Sequence, residues 1–395
     1  MTDSKQTDHP GPTAPRRPHT GLAVQDVRSG ADRRAFLGLP YRLHRHSPLW
    51  VPPLRSDQQR LVNHRTNPFF DVGDAQLFLV RRGREVVGRV AAVDNPAYNA
   101  HHGTRHGFFG LFECADDPDA AQALLDAAAA WLRERDHDRM IGPVNFTTND
   151  ECGVLTDGFE QPPAVLMPYN PRHHPALLTA SGLKPAMELL AWEMPLALHH
   201  HPRAVRLADH VARVVKNLRL RPIDFRDFAA ETARLRTLYS AAWQDNWGFS
   251  PPSAAEFDAL AKLLRRVARP ELLLIAEVDG NPVGFTLVLP DIAPALRAAR
   301  GRLHTCGLPI GLVRYLHTAR HVTRVRVVAV GVRREYRVRG LDTLLNVELS
   351  RTAWQLGYRT AELSWTLAHN HAANRTLAAF GAQVSKRYAL YEGLL

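Results

Sequence analysis

The sequence predicts an α/β fold of the α+β kind, with two tandem domains that are each a mixed, mostly antiparallel twisted sheet flanked by helices. The first observation behind this is length, because 395 residues are more than one ordinary hydrophobic core accommodates. The second is an order of elements that occurs twice: a strand hairpin, an apolar strand, a long helix, a strand, a short helix ended by glycine, and a final strand. The third is composition, since 45% hydrophobic and 23% charged residues are typical of a globular protein.

The first half of the chain carries the first copy of this order, after a polar tail. Residues 1–30 contain four prolines and hardly any large apolar side chain, so we expect them to be disordered. Residues 31–198 form the first domain, in which Asp117 caps the long helix and Pro118 occupies its first turn. The predicted elements are strands over 75–81, 85–93 and 107–113, a helix over 120–135, a strand over 140–146, a helix over 175–181 and a strand over 185–195.

The second half, residues 203–395, repeats the order after a linker near residues 199–202. Its clearest stretch is the β-branched strand Val325–Val332, which is followed by a basic turn ending at Gly340 and by a helix. The tail predicts a strand over 359–366, a helix over 372–380 and a last strand over 383–391. The repetition indicates a duplicated domain.

The turn before Gly340 has the chemistry of a polyphosphate site. A helix N-terminus presents unpaired N–H groups, and glycine allows an anion to approach the backbone closely. Arg337 and Arg339 add positive charge beside these groups, which favours a phosphate-bearing ligand.

On these residues the C-terminal half resembles the GNAT superfamily, whose members transfer acyl groups from acyl-CoA to amines. The matching features are Val330-Gly331-Val332 at the end of the strand, the loop from Arg337 to Gly340, Asn370, and Phe380-Gly381. The pattern departs from the family at two positions. Asp342 stands where the family loop has a small residue, and Leu377 stands where a tyrosine often acts as general acid.

The resemblance implies how an acyl-CoA, with acetyl-CoA as the first expectation, binds to this half. Its pantetheine would lie between two strands that splay apart, and no metal ion would be needed. The residues implied in cofactor binding are Val330, Gly331 and Val332 for pantetheine, Arg337, Val338, Arg339, Gly340 and Leu341 for the pyrophosphate, and Asn370 and Asn374 on the far side. The equivalent loop of the first half, Cys114–Pro118, has no arginine or glycine and contains two acids, so we expect that half not to bind CoA.

Two clusters are candidates for the acceptor site. Trp243, Asn246 and Trp247 surround Asp245, and aromatic walls with one carboxylate suit an amine; the alternative is a helix end whose aromatics pack inward while Asp245 caps. The irregular passage from 145 to 170 is the other cluster, because long loops on a rigid scaffold often hold substrate groups; ordinary surface turns are the alternative. Its candidates are Asn145 and Tyr169 for substrate binding and Glu151, beside Asp150, as a proton acceptor.

The tyrosines near the C-terminus, Tyr388 and Tyr391, are candidates for the general acid because the usual position is occupied by Leu377. Three adjacent histidines at 199–201 cannot all point at one ion in a regular element, so we read them as linker and expect no metal.

The positive charge of the chain is concentrated in its second half. Residues 1–200 hold 21 basic against 23 acidic side chains, whereas residues 201–395 hold 29 against 16. Nine arginines and no acid lie between Asp291 and Glu335. Such a field attracts CoA, RNA or a membrane surface, or is a solvated face. An amphipathic helix over residues 308–321 either docks a partner or membrane or covers its own sheet.

The remaining sequence features concern location. No apolar run reaches the roughly 18 residues of a membrane helix, and the N-terminus lacks the layout of a signal peptide. Three widely spaced cysteines predict neither disulfides nor zinc binding. These observations favour a cytoplasmic protein, and the oligomeric state stays open.

The leading functional hypothesis is an N-acyltransferase that moves an acyl group, acetyl first, from acyl-CoA to the amine of a small or amino-acid-like molecule. Two alternatives remain open. One is a GNAT-fold pseudoenzyme that senses a metabolite, which Asp342 and Leu377 favour. The other is an aminoacyl-tRNA-dependent transferase, although no RNA-binding pattern of interleaved aromatic and basic residues is present, and nucleic acid is therefore not the expected partner.

Overall fold

The first half of the chain forms strands and helices in nearly the predicted order. The computed structural model describes residues 21–337 and 339–395. The elements of the first half are β1 (Leu22–Asp26), α1 (Gly30–Leu43), α2 (Arg55–Leu61), β2 (Asp74–Arg82), β3 (Glu85–Asp94), α3 (Pro96–His102), β4 (His106–Cys114), α4 (Pro118–Arg133), β5 (Arg139–Gly142), β6 (Val154–Asp157), α5 (His174–Ala180) and β7 (Lys184–Pro195). The Asp117 side chain accepts the N–H of Ala120, as the predicted cap of α4 requires.

The second half contains the predicted order of elements and, among the described residues, five further helices between its strands. Its elements are α6 (Pro202–Val214), β8 (Leu218–Pro222), α7 (Phe228–Trp243), α8 (Ala254–Leu264), β9 (Leu274–Val278), β10 (Asn281–Pro290), α9 (Ala293–Ala299), α10 (Ile310–Ala319), β11 (Arg324–Val332), α11 (Arg334–Arg337), α12 (Leu341–Gln355), β12 (Thr360–Leu367), α13 (His371–Ala379) and β13 (Gln383–Leu394). The mixed, mostly antiparallel architecture with flanking helices is as predicted.

The two halves share one continuous sheet because each contributes its last strand to the other. The strand order is β1-β2-β3-β4-β5-β13-β7-β12-β11-β10-β9-β8, with β6 pairing to β13. The last strand of the chain, β13, therefore lies beside β5 of the first half, and β7 lies beside β12 of the second half. The boundary predicted near residue 200 divides the chain but does not divide the sheet.

Two predictions about the first half need correction. The predicted disordered tail is wrong for residues 22–26, because β1 pairs along its whole length with β2; residues 1–20 lie outside the described residues. Backbone hydrogen bonding does not depend on the polar side chains that suggested disorder. The strand predicted over 140–146 ends at Gly142, and the chain then turns into an irregular passage.

The core consists of separate apolar layers on the two faces of the sheet. In the second half, α6 and α12 cover β11 and β12 with residues such as Val211, Leu345 and Val325. In the first half, α4 and α5 cover one face, and α1 together with the passage 143–170 covers the other. The central strands are thus buried on both faces, and polar groups among them need partners inside the protein.

Candidate active site

The strands β11 and β12 separate part of the way along their length. They pair in parallel only from Arg324–Val327 and Thr360–Leu363. Beyond that point β11 continues against β10, while β12 shifts its register against β7. The separation leaves an opening between residues 328–332 and 364–367, which we call the strand gap. Val330, Gly331 and Val332 lie on its β11 side, with one backbone edge not paired to β12.

An aromatic side chain from α7 lies directly over the β11 side of the gap. A Cβ atom at Gly331 would come within 2.4 Å of the Phe285 ring and 2.7 Å of the Trp243 ring. Trp243 also stacks on Tyr239, with 4.9 Å between ring centroids. Gly331 is therefore required by the close approach of these rings, and Trp243 forms part of the wall beside the gap.

The loop that follows β11 ends in a glycine of the left-handed conformation. Gly340 has φ of +76° and begins α12, so its N–H and those of the first turn face away from the helix body. Arg337 donates to the carbonyls of Val332 at 3.1 Å and Ala242 at 2.7 Å, which ties the end of α7 to the end of β11. Arg339 is exposed, and the side chain of Leu341 is buried. Val338 lies outside the described residues.

Asp342 lies in the first turn of α12, directly after Gly340 and Leu341. Its carboxyl accepts hydrogen bonds from its own N–H and that of Thr343, and burial raises its pKa although these bonds lower it. A carboxylate in the first helical turn is stabilised by the helix dipole. The side chain thus holds N–H groups that an anionic ligand would also use.

The two asparagines predicted near the cofactor have local structural contacts. Asn370 caps α13 by accepting the N–H of Ala373 at 3.2 Å. Asn374 accepts the hydroxyl of Thr366 at 2.7 Å and donates to the carbonyl of Leu367 at 3.0 Å. They fix the turn between β12 and α13 at the far side of the strand gap.

A buried arginine sits where the two strands begin to separate. Arg326 donates from Nε to the Ser364 hydroxyl at 3.0 Å, and from Nη2 to the Ser364 carbonyl at 3.1 Å. Its third donor, Nη1, reaches the carbonyl of Val165 at 2.6 Å. Val165 belongs to residues 143–170 of the first half, which we call the covering loop. The covering loop therefore lies across the strand gap and is held there by the second half.

Further buried charges extend from Arg326 along the same face of the sheet. Lys386 pairs with Glu362 at 2.8 Å, and both side chains are inaccessible to solvent. Arg324 lies 2.6 Å from Asp291 and 3.6 Å from Glu362. We call these residues, together with Arg326 and Tyr388, the polar layer. Its cations and anions alternate, which lowers the cost of burying them.

Tyr388 is the member of the polar layer with an unused functional group. No described residue forms a hydrogen bond with its buried hydroxyl. The buried Oε1 atom of Glu362 likewise has no hydrogen-bond partner among the described residues. Burial raises the pKa of Tyr388 well above its usual value, and the charge of Glu362 adds to this. The phenol is therefore neutral and can donate a proton or a hydrogen bond.

Two adjacent carboxyls of the covering loop face the second half. Burial raises the pKa of Asp150 to about 7 and also raises that of Glu151, which the charge of Arg326 partly offsets. More than a third of the Asp150 surface nevertheless remains accessible to solvent. Beside them, Asn149 accepts a hydrogen bond from the hydroxyl of Tyr239 at 2.6 Å, and burial raises the pKa of that tyrosine above its usual value.

The remaining predicted residues do not meet at the strand gap in the same way. Tyr391 packs with the core under α4 and α5, apart from the apolar layer that contains Tyr388. Asp245 is exposed, and the backbone of Asn246 forms the turn after α7. Trp247 packs against the core of the first half.

Two candidates of the covering loop have structural hydrogen bonds inside the first half. The side chain of Asn145 accepts the N–H of Leu111 at 2.8 Å, and the hydroxyl of Tyr169 donates to the carbonyl of Phe159 at 3.1 Å. Both contacts shape the covering loop, so neither side chain is directed at a ligand by these bonds.

Sequence reasoning missed Arg326, Ser364 and Tyr239. The available signal was the pair of arginines in the otherwise apolar strand Arg324–Val332, because a charge inside a buried strand requires a partner. Ser364 and Tyr239 carry no comparable signal, since their role depends on segments that are distant in sequence.

Within residues 21–337 and 339–395, no three His, Cys, Asp or Glu side chains come together as a metal site. Over the same ranges, no helix combines the length and apolarity needed to cross a bilayer.

Comparison with known proteins places this arrangement in a known class. Residues 232–382 match the model of the Acetyltransferase (GNAT) family. A bacterial ceramide synthase from Caulobacter vibrioides is 32% identical over 386 residues, which cover 95% of this chain and 98% of that protein. Protein YghO from Escherichia coli is 32% identical over 368 residues, which cover 91% and 92% of the two chains.

Solved structures agree on the fold. A tandem GNAT protein from the clavulanic acid biosynthesis pathway superposes with a TM-score of 0.54 at 16% identity, covering 94% of this chain and 98% of its own. A GCN5-related N-acetyltransferase from Sphaerobacter thermophilus superposes with a TM-score of 0.51 at 14% identity, covering 95% of this chain and 96% of its own. The fold defines a tandem acyltransferase architecture. The chain belongs to the GNAT family, and the resemblance and fold class predicted from its sequence are confirmed.

Proposed function

We propose that this protein is an acyl-CoA-dependent N-acyltransferase whose acceptor is a long-chain lipid amine and whose donor is a fatty acyl-CoA. The similarity to a protein named bacterial ceramide synthase extends over nearly the whole of both chains. A ceramide is the amide of a fatty acid with a long-chain amino alcohol. The proposal therefore replaces the small acceptor and acetyl donor expected from the sequence with longer ones, and keeps the reaction type.

The observation that carries the proposal is the strand gap, with a tyrosine hydroxyl beside it that no described residue binds and two carboxyls of raised pKa on the covering loop. Pantetheine in the gap would pair with the free backbone edge of residues 328–332. The thioester would then lie near Arg326, where the gap begins, and within the electrostatic reach of Tyr388 and Glu151.

In the proposed reaction, the amine nitrogen attacks the thioester carbon, a C–N bond forms and the C–S bond breaks. Ionised Asp150 attracts the ammonium form of the acceptor, which releases one proton to solvent and becomes the neutral amine. Glu151 takes the second proton, which the nitrogen loses as the amide forms. Tyr388 donates its proton to the departing thiolate and regains a proton from Glu151, so the amide product and CoA leave with both side chains restored. Positioning of the two substrates contributes a large share of the rate.

The direct test measures CoA release from acyl-CoAs of increasing chain length, with small amines and long-chain amino alcohols as acceptors and product identified by mass spectrometry. We expect turnover with the long pair and a loss of about a hundredfold in kcat for Glu151→Gln. Glu160→Gln, an exposed carboxyl of the same loop, is the matched control and should keep full activity. Absence of turnover with every acceptor, in protein that binds acyl-CoA, would contradict the proposal.

A second candidate is a non-catalytic member of the family that senses CoA or a metabolite. Asp342 favours it, because its carboxyl occupies N–H groups that a diphosphate would use. The CoA-release assay, combined with a titration of acyl-CoA into the protein, decides between the two. Saturable acyl-CoA binding without CoA release from any acceptor supports the sensor.

A further inference from the structure

Helix α10 has two apolar faces, and the protein itself covers only one of them. Tyr315 and Ala319 pack against the cluster formed by Val165, Leu264 and Ile292. This inward face is sufficient to attach the helix to its domain. The expectation that the helix covers its own protein is therefore correct for one face and leaves the other face unexplained.

The outward face exposes large aliphatic side chains in a short stretch. Leu308, Ile310, Val313 and Leu316 each expose between 41% and 62% of their surface. The last three follow one another at intervals of three residues, so they form neighbouring positions along the helix. We call these four residues the apolar ridge. An exposed apolar cluster of this kind, rimmed by polar residues, marks an interaction surface.

The rim of the apolar ridge is positively charged and contains no acid. Between Asp291 and Glu335 the sequence has no acidic residue. Arg300, Arg302, Arg314 and Arg320 are exposed, and no acidic side chain among the described residues forms an ion pair with any of them. These charges are available to a ligand outside the chain.

Two arginines of this rim line one surface cleft together with Arg297. Arg297, Arg300 and Arg314 surround a space of about 490 Å³ between α9 and α10, together with Pro294, Ala298 and Thr318. Guanidinium groups bind phosphate oxygens in a bidentate way. The cleft has the charge and the size for a phosphate headgroup.

We infer that α10 docks on an anionic membrane surface, with the apolar ridge inserted among the acyl chains and the arginine rim bound to lipid phosphates. A helix that presents aliphatic side chains between basic ones lies in the plane of a bilayer interface. A protein partner would have to be acidic around an apolar groove. A bilayer supplies both features over any area, and the uniform sign of the rim favours it.

The position of α10 connects this surface with the strand gap. Val165, which α10 packs near, also accepts the hydrogen bond from Arg326 and donates its N–H to Asp291 at 2.8 Å. Docking would bring the covering loop close to the bilayer, from which a lipid amine could enter. This last consequence rests on the proposed function, whereas membrane docking itself does not.

The test is cosedimentation of the full-length protein with phosphatidylcholine vesicles that contain roughly a third phosphatidylglycerol, against vesicles of phosphatidylcholine alone. We expect binding to the anionic vesicles that weakens between about 0.1 M and about 0.5 M NaCl. Val313→Glu with Leu316→Glu should lower binding about tenfold or more, and Arg314→Ala with Arg320→Ala should lower it about fivefold per arginine.

Matched controls are Val72→Glu, which changes an equally exposed aliphatic residue in the first half, and Arg84→Ala, which removes an exposed arginine of the β2–β3 turn. Both should bind vesicles as the wild type does. Circular dichroism of every variant verifies that the fold is retained.

Three results would overturn the inference. The first is wild-type protein that does not bind anionic vesicles. The second is a ridge variant that binds them as tightly as the wild type. The third is a wild-type dimer in sedimentation without lipid that becomes a monomer in the ridge variant, because the ridge would then bind a second copy. Vesicle binding without acyl transfer would leave the inference intact and would count against the proposed function alone.

Discussion

The two halves of the chain have the same parallel strand pair, but only one pair encloses an open gap. In the first half, β4 and β5 pair only over His106–Phe108, as β11 and β12 do over a similarly short stretch. The chain itself then fills the space: the N–H of Val144 bonds to the carbonyl of Phe109 at 2.7 Å, and a Cβ at Gly110 would lie 2.0 Å from the Val144 carbonyl. In the second half, no described strand pairs with the backbone of residues 328–332 on that side.

The loops that follow β4 and β11 also differ, in charge and in backbone conformation. The first half has Cys114 followed by acids, with Asp117 engaged as a helix cap and paired with Arg82. The second half has arginines and a left-handed glycine. The first half therefore fills its own gap with residues of the chain, and the same passage continues as the covering loop of the second half. The covering loop begins with the same residues that fill the first gap.

The largest expected effect is on the free energy of unfolding, when a substitution disrupts the strand exchange that joins the two halves. Lys386→Met leaves Glu362 buried without its closest cation, which should cost about 3–5 kcal/mol of unfolding free energy. Because β13 lies between β5 and β7, both halves should unfold in one transition, measured by urea denaturation. Lys184→Met, at an exposed position of β7, is the control with little expected change. Two separate transitions in the wild type would contradict the shared sheet.

The next effect should show that only the second half binds acyl-CoA. Gly340→Glu introduces a carboxylate and a side chain at φ of +76°, so we expect affinity to fall about a hundredfold in isothermal titration. Gly182→Glu, at φ of +87° with open space around it in the first half, carries the same backbone strain. It should leave acyl-CoA binding unchanged, with one site per chain in the wild type. Binding of two molecules per chain would refute the difference between the halves.

The two tyrosines of β13 provide a comparison within one strand. Tyr388→Phe removes the unpaired hydroxyl and should lower kcat about tenfold with KM unchanged. Its folding stability should stay the same or rise slightly, because a buried unsatisfied group is removed. Tyr391→Phe, in the core under α4 and α5, should keep its kcat. Equal losses in both variants would exclude Tyr388 as the proton donor.

A smaller effect concerns pH. The pKa of Asp150 is raised to about 7, so this carboxyl is neutral below that pH and ionised above it. We expect KM for the amine to fall as pH rises through about 7, and Asp150→Asn to have a higher and nearly pH-independent KM. Folding provides a second measurement: relative to Asp150→Asn, the wild type should lose stability as pH rises from its ordinary 3.8 to about 7, because the unfolded chain ionises first. A KM that is as pH-dependent in the variant as in the wild type would remove Asp150 from the acceptor site.

The smallest effect should arise at the start of α12. Asp342→Asn removes the negative charge that competes for the first-turn N–H groups, so acyl-CoA should bind about threefold more tightly. Asp209→Asn, on the exposed side of α6, is the control. Weaker binding in Asp342→Asn would mean that the carboxyl assists the ligand rather than competing with it.

Sequence reasoning identified features whose signal is local. The strand from Arg324 to Val332, the glycine before α12 and the cap at Asp117 all depend on neighbours within a few residues, and all are found in the structure. The choice between Tyr388 and Tyr391 could not be made in this way. The two tyrosines are three positions apart on one strand. A register shift between Leu390 and Tyr391 changes how β13 pairs with β7.

For the same reason, only part of the candidate site could be predicted from the sequence. Glu151 was found as an acid in an irregular loop, but its proximity to Arg326 and Tyr388 depends on a contact between segments more than 160 residues apart. The asparagines at 370 and 374 were found by resemblance, and the structure adds the backbone groups that they bind. Buried pairs such as Lys386 with Glu362 look like surface charges in the sequence.

The sequence by itself determined the class of fold, the duplication, the basic turn before Gly340 and the concentration of arginine between Asp291 and Glu335. Periodicity, helix caps and glycine positions are properties of short stretches of chain. Only the tertiary structure decided that the last strands are exchanged, that the first gap is filled while the second stays open, and that one face of α10 is left uncovered. These outcomes depend on which distant segments occupy the same space, and close packing allows only one segment in each place.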